Sequence, residues 1–400
     1  MAEEASGRGK SKFGQANSLW CCYASAMSTT AELSRTPFHD YHVKHGANMV
    51  PYAGWEMPLL YSSIIEEHKQ VRNSGGLFDV SHMGRIRFSG RDACRFLDRM
   101  CTRKIHGTAI GQARYTMVCN ERGGCIDDAL VTRLDENEYM MVCNAANREK
   151  LLQHFAVEKR EFVFKQVDET TKTAMIALQG PKVMDLLSAF SSEIPNLKRY
   201  RSTTKSLLMV KFIVSRTGYT GEDGVEVILP SMFANKAVEM MLKNMDTPDT
   251  VKPCGLGARD SLRLESGMAL YGHEIDEDTD PLTANLHFAV SLDKGIDDPE
   301  VECFIGQEAL RRLNASGLKQ TTTGLVLEGR RAPRQGMSVL AGDQQVGVVT
   351  SGCLSPTLDK PIAIIRVDAD RAEPGMELQV DLGRQKAGGE VTAMPFYSSR

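Results

Sequence analysis

Long apolar runs are missing from this chain: nowhere in its 400 residues is there a stretch of the roughly eighteen apolar residues that a membrane span needs, and no membrane role is expected. No block of Lys and Arg accompanies the formal charge of -3, so a nucleic-acid-binding surface is not expected either. The ten cysteines contain no C-x-x-C pair, and their spacing spells neither a zinc site nor a disulfide framework; a reducing compartment is the simplest expectation. The nine histidines include no i, i+4 pair, and no metal is expected. A dinucleotide loop is absent as well. The nearest approach to one, GLGARD at Gly255–Asp260, puts a carboxylate where the third glycine belongs and follows no strand-like run.

What is present is an ordinary globular composition, 42% apolar and 25% charged, over a length that exceeds what one hydrophobic core supports. Two or three domains are expected. Residues 1–34 read as an extension and candidate presequence, with Arg8, Lys10 and Lys12 ahead of the short apolar patch LWCCYASAM. Glu3, Glu4 and Glu32 work against a basic, acid-poor transit peptide. Residues 35–318 alternate strand-like and helical runs, an α+β pattern, and residues 319–400 change to short apolar strands punctuated by Gly and Pro, as expected of a small all-β domain.

Within the α+β region, SSIIEEHKQVRNSGG reads as a helix that ends at Gly75–Gly76. A meander follows from RYTMVCN through the turn ERGG to CIDDALVTRL, then through DENE to YMMVCN. The runs VKFIVSR and VEVIL flank the Gly-rich connection TGYTGEDG, and LGARDSLRLESGMAL reads as one helix with Leu264, Met268 and Tyr271 on an apolar stripe.

Several residues stand out against bland alternatives. Asp127 and Asp128 are adjacent poor strand formers in a strand; one could cap the Gly123–Gly124 turn, but the other must then be hydrogen-bonded or charge-paired in an apolar setting. Strict alternation would group Asp128 with Ile126 and Leu130, and Asp127 with Cys125, Ala129 and Val131, and does not by itself say which is functional. The glycines around Tyr219 suggest a loop that lets backbone approach a ligand; a plain hairpin turn is the competing account. Glu226, between Val225 and Val227, reads by default as a solvent-facing charge, and Arg259 with Arg263 as two arginines on a solvated helix face.

Taken together, YAGWEMPLLY, LFDVSHMG, ARYTMVCN, GGCIDDALVTR, NAANREK, ALQGP, SRTGYTGEDGVEV, PCGLGARDSLRLESGMALYGHEIDE and SGCLSPTLDKPIAI resemble the aminomethyltransferases, the T-proteins of the glycine cleavage system, in order from about Thr36 to Phe396. The resemblance implies a three-domain clover-leaf, with two intertwined α+β folate-binding lobes over residues 35–318 and a C-terminal all-β barrel over 319–400. It implies transfer of the one-carbon unit from the S-aminomethyldihydrolipoyl arm of a lipoylated H-protein to tetrahydrofolate, a co-substrate, with release of ammonia and without a metal. A mitochondrial matrix location goes with that role. Carried onto this sequence, Asp127 takes the catalytic place and Asp128 that of structural partner, while Tyr115, Asn144, Tyr219, Glu226, Arg259 and Tyr397 take folate-binding places. Two rival readings share the fold: a non-catalytic folate-binding iron–sulfur assembly factor, and the folate domain of sarcosine or dimethylglycine dehydrogenases. ECFIGQEAL resembles part of the assembly factors' lysine-glycine-cysteine signature, but Val301 and Glu302 replace its Lys and Gly, and Cys303 is expected to be an ordinary buried thiol.

Overall fold

The computed structural model describes residues 32–207, 210–243 and 249–399, so the candidate presequence lies almost wholly outside the described residues. The meander read from the sequence forms neighbouring strands of a five-stranded sheet, in the order Ala113–Cys119, Cys125–Asp135, Glu138–Cys143, Gly84–Ser89, Lys165–Asp168. Its outer face buries Phe88, Val131 and Met141 against Phe96, Leu97 and Phe155 of the helices Ala93–Met100 and Arg148–Glu158.

The second sheet has six strands, ordered Ser202–Leu207, Val210–Ser215, Gly224–Pro230, Thr173–Gln179, Gly76–Asp79, Lys252–Pro253. Gly76–Asp79 precedes every strand of the first sheet in sequence yet pairs inside the second, so the two lobes are interleaved along the chain. Helices Val183–Ser188 and Ala234–Lys243 cover its outer face through Val183, Leu187, Ala234 and Val238. The inner faces of the two sheets meet: Met140 of the first and Met175, Ile213 and Ile228 of the second share one apolar cluster. Six strands between Gln320 and Thr392 close into a barrel, with alternation plain in Glu377–Asp381, where Leu378 and Val380 point inward.

Two boundaries differ from expectation. Helix Ile64–Asn73 begins with the Ser63 hydroxyl accepting from the Glu66 N–H, but Gly75 and Gly76 do not cap its end; a Cβ on Gly76 would lie 2.5 Å from Val71, so glycine is needed there for close packing. The helix read as Leu256–Leu270 stops at Glu265. Gly267, at φ +65°, forms a Schellman end in which its N–H bonds the Leu264 carbonyl and the Met268 N–H bonds the Arg263 carbonyl, so Met268 and Tyr271 leave the helical stripe.

Candidate active site

The paired carboxylates sit just past an irregularity in the ladder. Val118 pairs with Asp127 and Cys119 with Cys125, leaving Ile126 as the extra residue of a bulge. The bulge breaks the alternation assumed from sequence: Ile126 joins Ala129 and Val131 in the outer core, while Cys125 belongs to a different cluster. Beyond it the period is regular. Asp127 stands on the face of Ala129 and Val131; Asp128 stands with Leu130 and Thr132, which line a cavity between the two sheets. Neither carboxylate caps the turn, because the Asn120 side-chain oxygen accepts from the N–H groups of Arg122 and Gly124.

Asp127 is fully buried, and its oxygens are already engaged: the Asn144 N–H reaches Oδ2 at 3.0 Å, and Asn144 Nδ2 and Asn147 Nδ2 reach Oδ1 at 2.8 and 2.6 Å. Asp128 accepts from Tyr115 Oη at 2.9 Å and from the same Asn144 Nδ2 at 2.6 Å. Asn144 thus bridges both carboxylates at the entry to the helical segment that continues as Arg148–Glu158. Burial first, and the charge of Asp128 second, push the Asp127 carboxyl up to about 8; burial raises Asp128 too. Two such groups sharing a donor titrate as a pair that holds a proton near neutrality. Burial, then the Asp128 charge, also lifts the Tyr115 hydroxyl well above its ordinary value, so it remains a donor.

On the Leu130 and Thr132 side of the strand lies a small cavity of about 20 Å³. Its first wall is Leu130, Thr132, Met140 and Val142; its second includes Met175, Ile228 and Glu226. Glu226 is only 6% exposed, and the Thr217 hydroxyl donates to its Oε2 at 2.6 Å. The expectation of a solvent-facing charge fails because this sheet is covered on both faces, by helices outside and by the other lobe inside. The Gly-rich connection closes that end: at Gly218 a Cβ would lie 1.8 Å from Gln179 Oε1, and at Gly221 2.1 Å from Ser266 Oγ, so its glycines allow close approach to the protein's own side chains. Tyr219 donates to the Ala269 carbonyl, and the Arg259 guanidinium lies 4.9 Å from its ring centroid. Tyr115 stacks on Phe288 at 5.9 Å. Phe288 in turn lines a second cavity, of about 180 Å³, between the 266–288 segment and barrel residues Thr322 and Ile364.

The comparisons with known proteins follow this geometry. Residues 38–294 match the GCVT N-terminal domain, and residues 320–398 match the glycine cleavage T-protein C-terminal barrel domain. The chain belongs to this family. An aminomethyltransferase of Saccharopolyspora erythraea is 42% identical over 91% of this chain and 98% of its own, and one of Rubrobacter xylanophilus is 43% identical over 91% and 94%. The crystal structure of glycine cleavage system aminomethyltransferase T from Bartonella henselae superposes with a TM-score of 0.84 at 32% identity, over 92% of this chain and 99% of that one. The T-protein clover-leaf expected from sequence, with its closed terminal barrel, is the fold observed.

Of the residues expected at this family's site, Glu226 lines the inter-lobe cavity, Tyr115 and Asn144 bond Asp128, and Tyr219 and Arg259 lie against each other. Tyr397 lies elsewhere: its ring stacks on Arg72 at 4.0 Å, within a charged group that includes Glu222 and Glu265. Arg263 is not on a solvated face. It is 1% exposed, pairs with Glu274 at 3.0 Å and donates to Ser351 Oγ of the barrel at 2.9 Å. Asn147 and Thr217 carried no signal in the sequence, since their importance is a matter of which carboxylate they meet in space. Cys303, expected to be buried, is exposed because its neighbours Val301 and Phe304 take the inward places. Cys94, Asp98 and His106 bring ligand-type atoms within 4.8 Å of one another, a grouping invisible in linear spacing. The Asp98 oxygens there already accept from the N–H groups of Ile105 and His106, and the buried Lys294 ammonium, 3.9 Å away, supplies positive charge.

Proposed function

We propose that the inter-lobe cavity binds tetrahydrofolate, pterin end toward Glu226, and that Asp128 is the carboxylate beside the reacting folate nitrogen. The observation that carries this is the pairing of the two walls: an anion on the Leu130–Thr132 face of one sheet and a buried anion, Glu226, on the facing wall of the other. A pterin presents an amino group and a ring N–H side by side, which one carboxylate accepts in parallel bonds. The roles that family resemblance gives to Asp127 and Asp128 are exchanged in this reading. Asp127 already accepts three N–H bonds and stands on the core face, which suits a group that holds Asn144 in place.

The chemistry follows. Loss of ammonia from the S–CH2–NH2 unit of the lipoyl arm leaves an electrophilic carbon; a folate nitrogen attacks it, becomes positively charged and sheds its proton; that nitrogen's lone pair then expels the dihydrolipoyl thiolate, and the second folate nitrogen adds to the resulting iminium carbon, so that the two folate N–H protons end on ammonia and on the thiol. A fixed carboxylate at that nitrogen stabilises the cation and takes the proton. The donor is a lipoylated H-protein, and the second cavity, bordered by Phe288, lies next to Tyr115 on the other side of the reacting pair. The identity of the curated relatives, each named an aminomethyltransferase, favours this over the assembly-factor reading.

The test is methylenetetrahydrofolate and ammonia formation by the pure chain with aminomethylated H-protein. Asp128→Asn should lower turnover by ~10²–10⁴-fold, the usual worth of one positioned acid–base group, and Asp127→Asn by far less. The reverse order would return the catalytic role to Asp127. A mitochondrial location belongs to the same proposal; it is checked by fractionation and by sequencing the N-terminus of the mature protein.

A further inference from the structure

Strand Ala113–Cys119 forms the edge of the five-stranded sheet, and along it lie three arginines that the transfer chemistry leaves unused. Arg114 stands on the opposite side of the strand from Tyr115 and two residues before Thr116. Arg103 comes to the Thr116 end, where its N–H donates to Thr116 Oγ1 at 3.0 Å. Arg201 comes to the other end, bridged to Gln112, and the neighbouring Tyr200 carbonyl accepts from the Ala113 N–H at 2.9 Å. Burial first, then the charges of Arg103 and Arg201, lower the Arg114 guanidinium below its ordinary value, so Arg114 lies within the field of both. Carboxylates normally answer such crowding. The chain has 51 Asp and Glu residues, yet among the described residues none pairs with Arg103, Arg114 or Arg201, and Arg114 Nε is buried without a hydrogen-bond partner. Neighbouring bases are not left so: Lys104 pairs with Asp298, Lys205 with Glu193 and Arg216 with Asp223.

The cluster reaches the second cavity through the chain around Phe288. Thr102 Oγ1 donates to the Ala289 carbonyl at 2.8 Å, and the Ser291 N–H donates to the Thr102 carbonyl at 3.0 Å, so Arg103 follows a residue tied to both sides of the turn after Phe288. Phe288 lines that cavity and is 61% exposed. Ile110 and Tyr200, at 57% and 48%, are the exposed apolar side chains at the Gln112 end. Arginine and tyrosine among exposed apolar groups make up the composition of a protein-binding face, and the strand from Gln112 to Thr116 spans about 13 Å, more than one small anion needs.

We propose that Arg103, Arg114 and Arg201 dock a carboxylate-bearing face of the lipoylated H-protein, placing its arm at the cavity rimmed by Phe288. This rests on the transfer reading above. Each guanidinium can take a carboxylate in two parallel bonds, and the uncompensated charge steers an anionic partner toward this edge of the sheet.

Steady-state transfer to tetrahydrofolate tests this with two donors, aminomethylated H-protein and free S-aminomethyldihydrolipoamide, which is the arm without its protein. The double variant Arg114→Gln/Arg201→Gln should raise KM for H-protein about tenfold, while kcat, KM for tetrahydrofolate and turnover of the free arm stay near wild type. KM for H-protein should climb with ionic strength in the wild type and less steeply in the double variant. An unchanged KM for H-protein, or an equal loss with the free arm, would overturn the docking role. Failure of the wild type with both donors would overturn the transfer reading instead.

Discussion

Among single residues, the energetics of the site turn on two carboxyls competing for one charge. Burial raises both, the Asp128 charge raises Asp127 further, and Asn144 holds both. Replacing Asp128 by Asn removes that negative neighbour, so the Asp127 carboxyl should titrate below about 8, as read by NMR of its carboxyl carbon across a pH series. Stability should respond as well. A carboxyl at about 8 in the folded chain and at its ordinary 3.8 when unfolded keeps a proton in the native state that the unfolded state has lost, so stability falls as pH rises between those values. In Asp127→Asn that downward slope should flatten, as read by urea unfolding at pH 4.5, 6 and 7.5. The pair itself was legible in the sequence as an anomaly. Their opposite faces were legible too, Asp127 with Ala129 and Val131 and Asp128 with Leu130, whereas the bulge that puts Ile126 with Ala129 and Val131 was not.

For secondary-structure elements, helix Leu256–Glu265 shows how a buried charge joins two parts of the molecule. Arg263 is enclosed by Asp260, Glu274 and Ser351, and Glu274 also accepts from the Leu270 N–H and the Thr350 hydroxyl. Cutting the arginine back to an apolar side chain leaves Glu274 buried without its counter-charge. Arg263→Met should therefore cost about 3–5 kcal/mol in denaturant unfolding, and adding Glu274→Gln should recover part of that loss. The helix start and its arginines were readable from sequence. Its end was not, since the Ser266–Gly267 stop competes with a continuing apolar period and wins through two backbone bonds.

For the whole molecule, a polar network fixes the barrel to helices Ile64–Asn73 and Leu256–Glu265. His68 bonds Ser261 Oγ at 2.8 Å and the barrel's Thr357 Oγ1 at 2.9 Å and lies 3.1 Å from Glu265, which also takes Arg72 at 2.9 Å. Burial alone would raise Glu265, but His68, Ser355 and Thr357 outweigh it and hold the carboxyl at about 2. A depressed carboxyl contributes stability above its unfolded value, 4.5, that is lost as pH falls toward 2. Glu265→Gln should lower Tm at pH 7 and shrink the acid-induced loss of stability across that window, measured by thermal unfolding at stepped pH. From the amino-acid order alone came the meander, the barrel strands and the anomaly of the paired aspartates, because those follow from local period and turn chemistry. What needed the folded chain was that Asn144 and Asn147 enclose Asp127, that Glu226 and Arg263 are buried, and that Tyr397 stacks on Arg72. Each of these depends on what another element places opposite a side chain, and a linear pattern records only the near side of such a contact.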